Sequence, residues 1–432
     1  MPMSVAPVSS TWATSGGAWL TGWADGPPLA APAGVATIVG RAHQRLIESS
    51  RAPGATTSGG TTLAGLDAMA LIGERAALGG LSRSGARSCG GATVLFPAAD
   101  GWIAVALARP DDLALVPAWL CTEMNVRAIE PGTPDIAGLG TEVSRRSVEE
   151  LVGRATLVGL AVGALAADGS GEVSPSDPVF VGYHRSGSPI GHRPLVVDLS
   201  SLWAGPLCSD LLTGRGCDVI KVESSRRPDG LRADASGLFD LLNTGKRSVA
   251  LDLATAAGQR LLHRLVEAAD VVIEGSRPRA LEQMGIDARQ VLAGRRTKVW
   301  LSITGFGRDG DAAQRPGFGD VAAVAGALVA WGDNNEPCFL GDAIADPLTG
   351  LVAAAAVADA LDAGGSWLLD VAMARVAACA AQGIERPSGV LAEADVCPPR
   401  ARSARGVAAA LGADTVAVLD VSIGGLEGGP HR

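Results

Sequence analysis

Between residues 195 and 385 the chain repeatedly alternates short β-branched runs with amphipathic stretches, and this pattern restricts the fold more than any other feature. Five apolar runs, at 194–200, 217–223, 248–253, 270–274 and 298–304, have strand length and are bounded by Gly, Pro, Asp or Ser. After the first run, Pro206 suits a first helical turn, and Leu207, Leu211 and Leu212 form an apolar stripe. After the third, Leu261, Leu262, Leu265 and Val266 share one helical face. Such alternation implies right-handed βαβ units, hence a parallel sheet covered by helices on both faces. Ligands of such sheets sit beyond the carboxyl ends of the strands. Functional residues are therefore expected just after positions 200, 223, 274 and 304.

The composition excludes some classes. With 432 residues, 47% hydrophobic and 19% charged, the chain has enough apolar material for two or three ordinary domains. A net charge of −9 and 4% aromatic residues leave neither the basic footprint nor the stacking platforms of a nucleic-acid binder. Mean hydropathy is positive, at +0.25, but Ala and Gly produce it. The most apolar stretch, 321–331, is far shorter than the ~20 residues a membrane span needs. Met1-Pro2-Met3-Ser4 carries no basic leader, so a cytoplasmic protein is expected. The seven cysteines form no CxxC pair, which points to neither a disulfide framework nor a zinc site.

Texture divides the chain further. Residues 1–185 are loop-rich, with Gly/Ser/Thr clusters at 53–62 and 169–178, and 386–432 reads as a tail with one short helix at 415–421. A partial repeat relates Gly16–Gly22, followed by Pro27, to Gly326–Gly332, followed by Pro337. Gly305-Phe-Gly-Arg-Asp-Gly310 matches G-x-G-x-x-G, but a loop with Pro316 follows it instead of the helix a dinucleotide site requires. The segment 244–247 lacks the rest of a P-loop. The basic clusters Arg226/Arg227/Arg232, Lys246/Arg247 and Arg277/Arg279 lie at strand ends, where convergence would suit a phosphorylated ligand. His43, His184, His192, His263 and His431 have no metal spacing, and His263 is expected to be structural. Asp342 and Asp346, ahead of Pro347, are expected to cap a helix.

Eight ordered blocks give the regular zone a specific likeness. They are 196–206 (with Trp203-Ala-Gly-Pro206), 218–223, 243–253 (from Asn243-Thr-Gly-Lys246), 270–274, 302–307, 315–318, 344–350 and 369–374. In these blocks the chain resembles the class III CoA-transferases, the group of formyl-CoA transferase, carnitine CoA-transferase and the α-methylacyl-CoA racemases. The resemblance implies a Rossmann-like α/β sheet plus a smaller α+β domain. It also implies acyl-CoA and a small carboxylic acid as substrates, no tightly bound cofactor, and an interlocked homodimer. The segments 90–96 and 100–106 look like the start of the family's small domain, which normally follows the large one, so the segment order is expected to be rearranged. The resulting division is 1–87 as a partial repeat of the family's post-catalytic segment, 88–185 as the small domain, 186–385 as the CoA-binding and catalytic domain, and 386–432 as the tail.

The resemblance also implies a chemistry. A family aspartate attacks the acyl-CoA thioester, becomes an aspartyl-CoA thioester and passes CoA to the acceptor. Here Gly319 stands at the family's Asp position and Asp320 follows one residue later. Either the loop bulges at Gly319 to present Asp320 as nucleophile, or the site is altered. For CoA the family pattern points to Trp203, Asn243 and Lys246, with Arg226 or Arg227 replacing an arginine whose place Ser224 fills. Arg247 and Arg277 belong to the same basic set, and Gly90-Gly91 corresponds to a glycine loop over the nucleophile. An acyl-CoA racemase or epimerase and a non-catalytic CoA-binding subunit remain the alternatives.

Overall fold

The computed structural model describes residues 8–49, 56–58, 60–123, 128–130, 133–134, 136, 138–294, 298–382 and 389–424. Met1–Ser4, His431 and part of the 53–62 cluster lie outside them. In chain order, helix α1 (Ala33–Glu48) buries Val35, Val39, Ala42 and Leu46 along one stripe. Strands β1 (Thr93–Pro97) and β2 (Gly101–Ala106) form an antiparallel hairpin, then come α2 (Pro110–Leu120), α3 (Val148–Val158) and β3 (Val162–Ala166), which pairs antiparallel with β2. Ile103, Val116, Trp119 and Leu151 close this small α+β unit around its own core.

The large sheet follows: β4 (Phe180–Arg185), β5 (Leu195–Asp198), α4 (Ala204–Arg215), β6 (Asp218–Ser224), β7 (Arg247–Leu251), α5 (Ala256–Ala268), β8 (Val271–Glu274), β9 (Lys298–Thr304), α6 (Gly319–Ala325), α7 (Ala345–Ala363), β10 (Ser366–Ala372) and α8 (Met373–Ala380). Its order is β4-β10-β9-β8-β5-β6-β7. All neighbours are parallel except β4, which runs antiparallel along β10. The six parallel strands thus have the doubly wound order 3-2-1-4-5-6, with its switch point between β5 and β8.

All five expected strands form within two residues of their predicted bounds. Alternate residues feed opposite faces: Val196, Val271 and Leu301 pack with α4, α7 and α8, whereas Val197, Val272 and Trp300 pack with α5. Helix α7 is apolar nearly all round and runs through the middle of the first core. Among the described residues no helix is long and apolar enough to cross a membrane.

Some expectations change. β4 lies on the near side of the 185/186 boundary yet belongs to the large sheet, and Trp12, α1 and Leu71 share a core with α7. The C-terminal segment is docked, not loose: helix α9 (Thr415–Gly424) packs on α5 and β7, and Asp414 accepts a 2.8 Å hydrogen bond from Ser248 N. The repeated segments differ locally, with a 3-10 turn at Ala18–Leu20 and a strand at Val329–Trp331. Small Ala/Gly-rich segments take whichever backbone their neighbours impose.

Candidate active site

A cleft of about 320 Å³ opens at the switch point. Residues following β5 (Leu199–Leu202) and β8 (Gly275–Pro278), and those at and after the end of β9 (Thr304, Gly305, Gly307), line it, joined by the loop Arg315–Phe318. These are three of the four expected positions; the turn after β6 does not contribute. Gly305 and Gly317 cross so closely that a Cβ on Gly317 would lie 2.6 Å from the Gly305 Cα. Only glycine permits this approach, which draws the 315–318 loop onto the end of β9. After Gly310 comes a single 3-10 turn (Gly310–Gln314), so the G-x-G-x-x-G segment opens no dinucleotide-binding helix.

Three carboxylates meet beside the cleft, and their roles differ. Asp342 is fully buried and grips the Arg75 guanidinium through both oxygens, with Nε at 2.8 Å. Burial opposes the Arg75 charge, but Asp342, Asp320 and Asp346 together hold its pKa raised. Asp320, 7% exposed, accepts from Ala343 N at 2.9 Å and is also hydrogen-bonded by Thr93. Burial pushes its carboxyl up to about 6; the Asp342 charge adds to the shift and Arg75 opposes it. Asp346 accepts from the Gly319 N–H and lines the cleft. Burial raises it to about 7, with Arg75 opposing and Asp320 contributing.

The bulge anticipated at Gly319 does not form. Gly319 is the first residue of α6 and Asp320 the second. Successive helical side chains diverge by about 100°, so an aspartate one residue late points elsewhere, here toward Ala343 N and not among the cleft-lining residues. Asp342 and Asp346 do not cap α7 either. Its N-cap is Ile344, without a side-chain hydrogen bond, and Asp346 is in the first turn.

The expected CoA contacts separate into two groups. Asn243 and Lys246 face inward: Lys246 Nζ donates to Pro206 O (2.9 Å), Ser209 Oγ (2.7 Å) and Asn243 Oδ1 (3.0 Å), and lies 3.5 Å from Asp198. Burial pulls Lys246 down to about 8, against the attraction of Asp198. Trp203 is likewise buried and sits under the Arg75 guanidinium at 5.7 Å. Arg247 begins its strand, so it occupies the opposite sheet edge, paired with Asp218 at 2.7 Å. The three basic clusters therefore do not converge: a residue before a parallel strand and one after it face opposite ends of the sheet. Arg232 is consumed by Glu223, and exposed Arg226 pairs with Asp252.

What remains at the carboxyl edge is Arg277 in the cleft lining, with exposed Arg227 and Arg279 near it. Burial, then the charges of Arg279, Arg109 and Arg227, push Arg277 down. Arg109 also lines the cleft, tied to Asp112 at 2.6 Å and stacked over Phe318, as does Arg315, stacked 3.6 Å over Phe306 and bound to Glu172 at 2.9 Å. Gly91 turns through φ 81° and Gly90 lies over Arg75, whose Nη2 would be 3.0 Å from an added Cβ. His263 is structural, bonded to the Met284 carbonyl at 2.9 Å. Sequence reasoning missed Arg75 and Arg315, whose partners Asp342 and Glu172 are distant in the chain, and Arg109, which meets Phe318 only through the fold; it assigned Asp346 to capping although its block carried the likeness.

The sequence profile described as CoA-transferase family III matches residues 194–393. A succinate–glutarate CoA-transferase of Agrobacterium fabrum is 34% identical over 181 residues, covering 38% of this chain and 45% of its own. A succinyl-CoA–D-citramalate CoA-transferase of Chloroflexus aurantiacus is 31% identical over 175 residues, covering 38% and 44%. A crystal structure of a CAIB/BAIF family protein from Brucella suis is 33% identical, covers 43% of this chain and 53% of that one, and superposes with a TM-score of 0.40. The chain spans less than half the length of the two curated relatives named. The segment 194–393, which holds all six parallel strands and the three carboxylates beside the cleft, is the part of the chain that matches CoA-transferase family III.

Proposed function

We propose that the cleft moves CoA between an acyl-CoA donor and a carboxylic acid acceptor. The observation that carries this reading is the pairing, at the switch point, of a cleft-facing carboxylate with Arg277 in the same lining. About 320 Å³ suits the thioester end of the ligand, leaving its phosphates to the Arg277–Arg279 region outside. An ionised carboxylate needs no general base to attack a thioester. It forms a mixed anhydride and CoA thiolate, and return of the thiolate to the enzyme's acyl carbon leaves an aspartyl-CoA thioester. The acceptor carboxylate repeats the cycle, so the thioester bond is conserved and no net proton or electron is transferred. The walls exclude water, which would hydrolyse either intermediate. The names of the relatives suggest the first probes.

The test is exchange between succinyl-CoA and labelled glutarate followed by chromatography. Labelled glutaryl-CoA is the expected product. Tight CoA binding without exchange would leave a non-catalytic CoA-binding subunit, and exchange of the α-proton without acyl transfer would leave a racemase; either overturns the reading.

A further inference from the structure

The position the family gives to its nucleophile is Gly319, and the space its side chain would fill is taken. A Cβ built on Gly319 would lie 2.2 Å from Asp346 Oδ2 and 2.4 Å from the Ala343 carbonyl. The vacancy left by the missing aspartate is thus occupied by a carboxylate arriving from another element, the first turn of α7. Among the three local carboxylates, Asp342 is locked by Arg75 and Asp320 accepts from Ala343 N; only Asp346 lines the cleft. It does so together with Gly317, Phe318 and Met373, and it is held from behind by the Gly319 N–H. Glycine at 319 and an aspartate at 346 are therefore one arrangement: any side chain at 319 would expel the Asp346 carboxylate.

We propose that Asp346, not Asp320, is the nucleophile that carries CoA in this protein. The inference rests on the CoA-transfer reading above. An Asp346 oxygen bonds to the thioester carbonyl carbon as the C–S bond breaks, and the electron pair leaves on the CoA sulfur. That thiolate then attacks the Asp346 carboxyl carbon, releasing the donor's carboxylate and leaving CoA on Asp346. The acceptor's carboxylate attacks the same carbon and expels the thiolate. The thiolate finally takes the acceptor's acyl carbon and restores the Asp346 carboxylate. Every bond formed is matched by one broken, and no co-reactant is required.

The experiment treats the full chain with succinyl-CoA and hydroxylamine and locates the hydroxamate by fragmentation of its peptides. A hydroxamate at position 346 is expected, together with a loss of exchange on the order of 10⁴-fold in Asp346→Asn, with CoA binding by calorimetry retained. The trapping arm uses the unaltered protein and so stands even if the variant does not fold. A hydroxamate at position 320, or exchange with no adduct on either residue, overturns the assignment while leaving CoA transfer intact. Absence of exchange by the unaltered protein overturns the transfer reading, and this assignment with it.

Discussion

Replacing Asp346 with Asn removes a charge that the folded protein holds at a cost, and the pH dependence of that cost can be worked out. Unfolded, the carboxyl titrates near its ordinary value of 3.8; folded, burial carries it to about 7, Asp320 and Asp342 adding to the shift and Arg75 opposing it. These three, with the Gly319 N–H, are the charged and polar groups that act on it. Between the two values the folded state binds the proton and the unfolded state does not. The Asp346 contribution to stability therefore falls as pH rises from about 4 to about 7, and stays lowest above that. At 1.36 kcal/mol per unit, a shift of about three units sets a ceiling of ~4 kcal/mol. The effective dielectric around buried groups is higher than that of a dry interior, so about 1–2 kcal/mol is expected. Urea unfolding of both proteins, followed by tryptophan fluorescence at fixed ionic strength, measures it. The stability of Asp346→Asn relative to the parent should climb between about pH 4 and about pH 7 and level off above that. Differences in packing between Asn and Asp do not change with pH and drop out of the slope. A pH-independent difference would refute the claim that Asp346 is a strained carboxylate.

Two further outcomes follow from the packing. Arg402 joins three distant parts of the chain, donating to buried Glu74 at 2.7 Å and to fully buried Asp210 at 2.9 Å; Arg402→Met should cost about 3–5 kcal/mol, measured by urea unfolding. Gly317→Ala places a methyl 2.6 Å from the Gly305 Cα, which should destabilise by about 1–3 kcal/mol and lower CoA exchange by lifting the 315–318 loop, whereas an unchanged melting temperature would contradict that close approach.

Much of the framework was legible because strands announce themselves locally. Val196–Asp198, Val271–Glu274 and Val299–Ile303 are β-branched or apolar runs with breakers at their ends, and their alternation with amphipathic helices leaves few topologies. The cleft after β5, β8 and β9 could be expected from that alone. Strand β10 follows Gly364-Gly365 as an apolar run, and its end overlaps the 369–374 block. The identities at the site were less so. Lys246 looks like a surface phosphate ligand in the sequence, yet the chain turns it inward to Asp198 and Ser209, because a buried aspartate there requires a cation.

The sequence by itself determined the doubly wound sheet, since its periodicities depend only on neighbouring residues and on which face each side chain takes. The tertiary structure decided which carboxylate reaches the cleft. Gly319 and Asp346 lie on different helices, and Arg75 meets Asp342 across 267 positions. Contacts of that kind are set by how helices pack against a sheet, and no local pattern of residues records them.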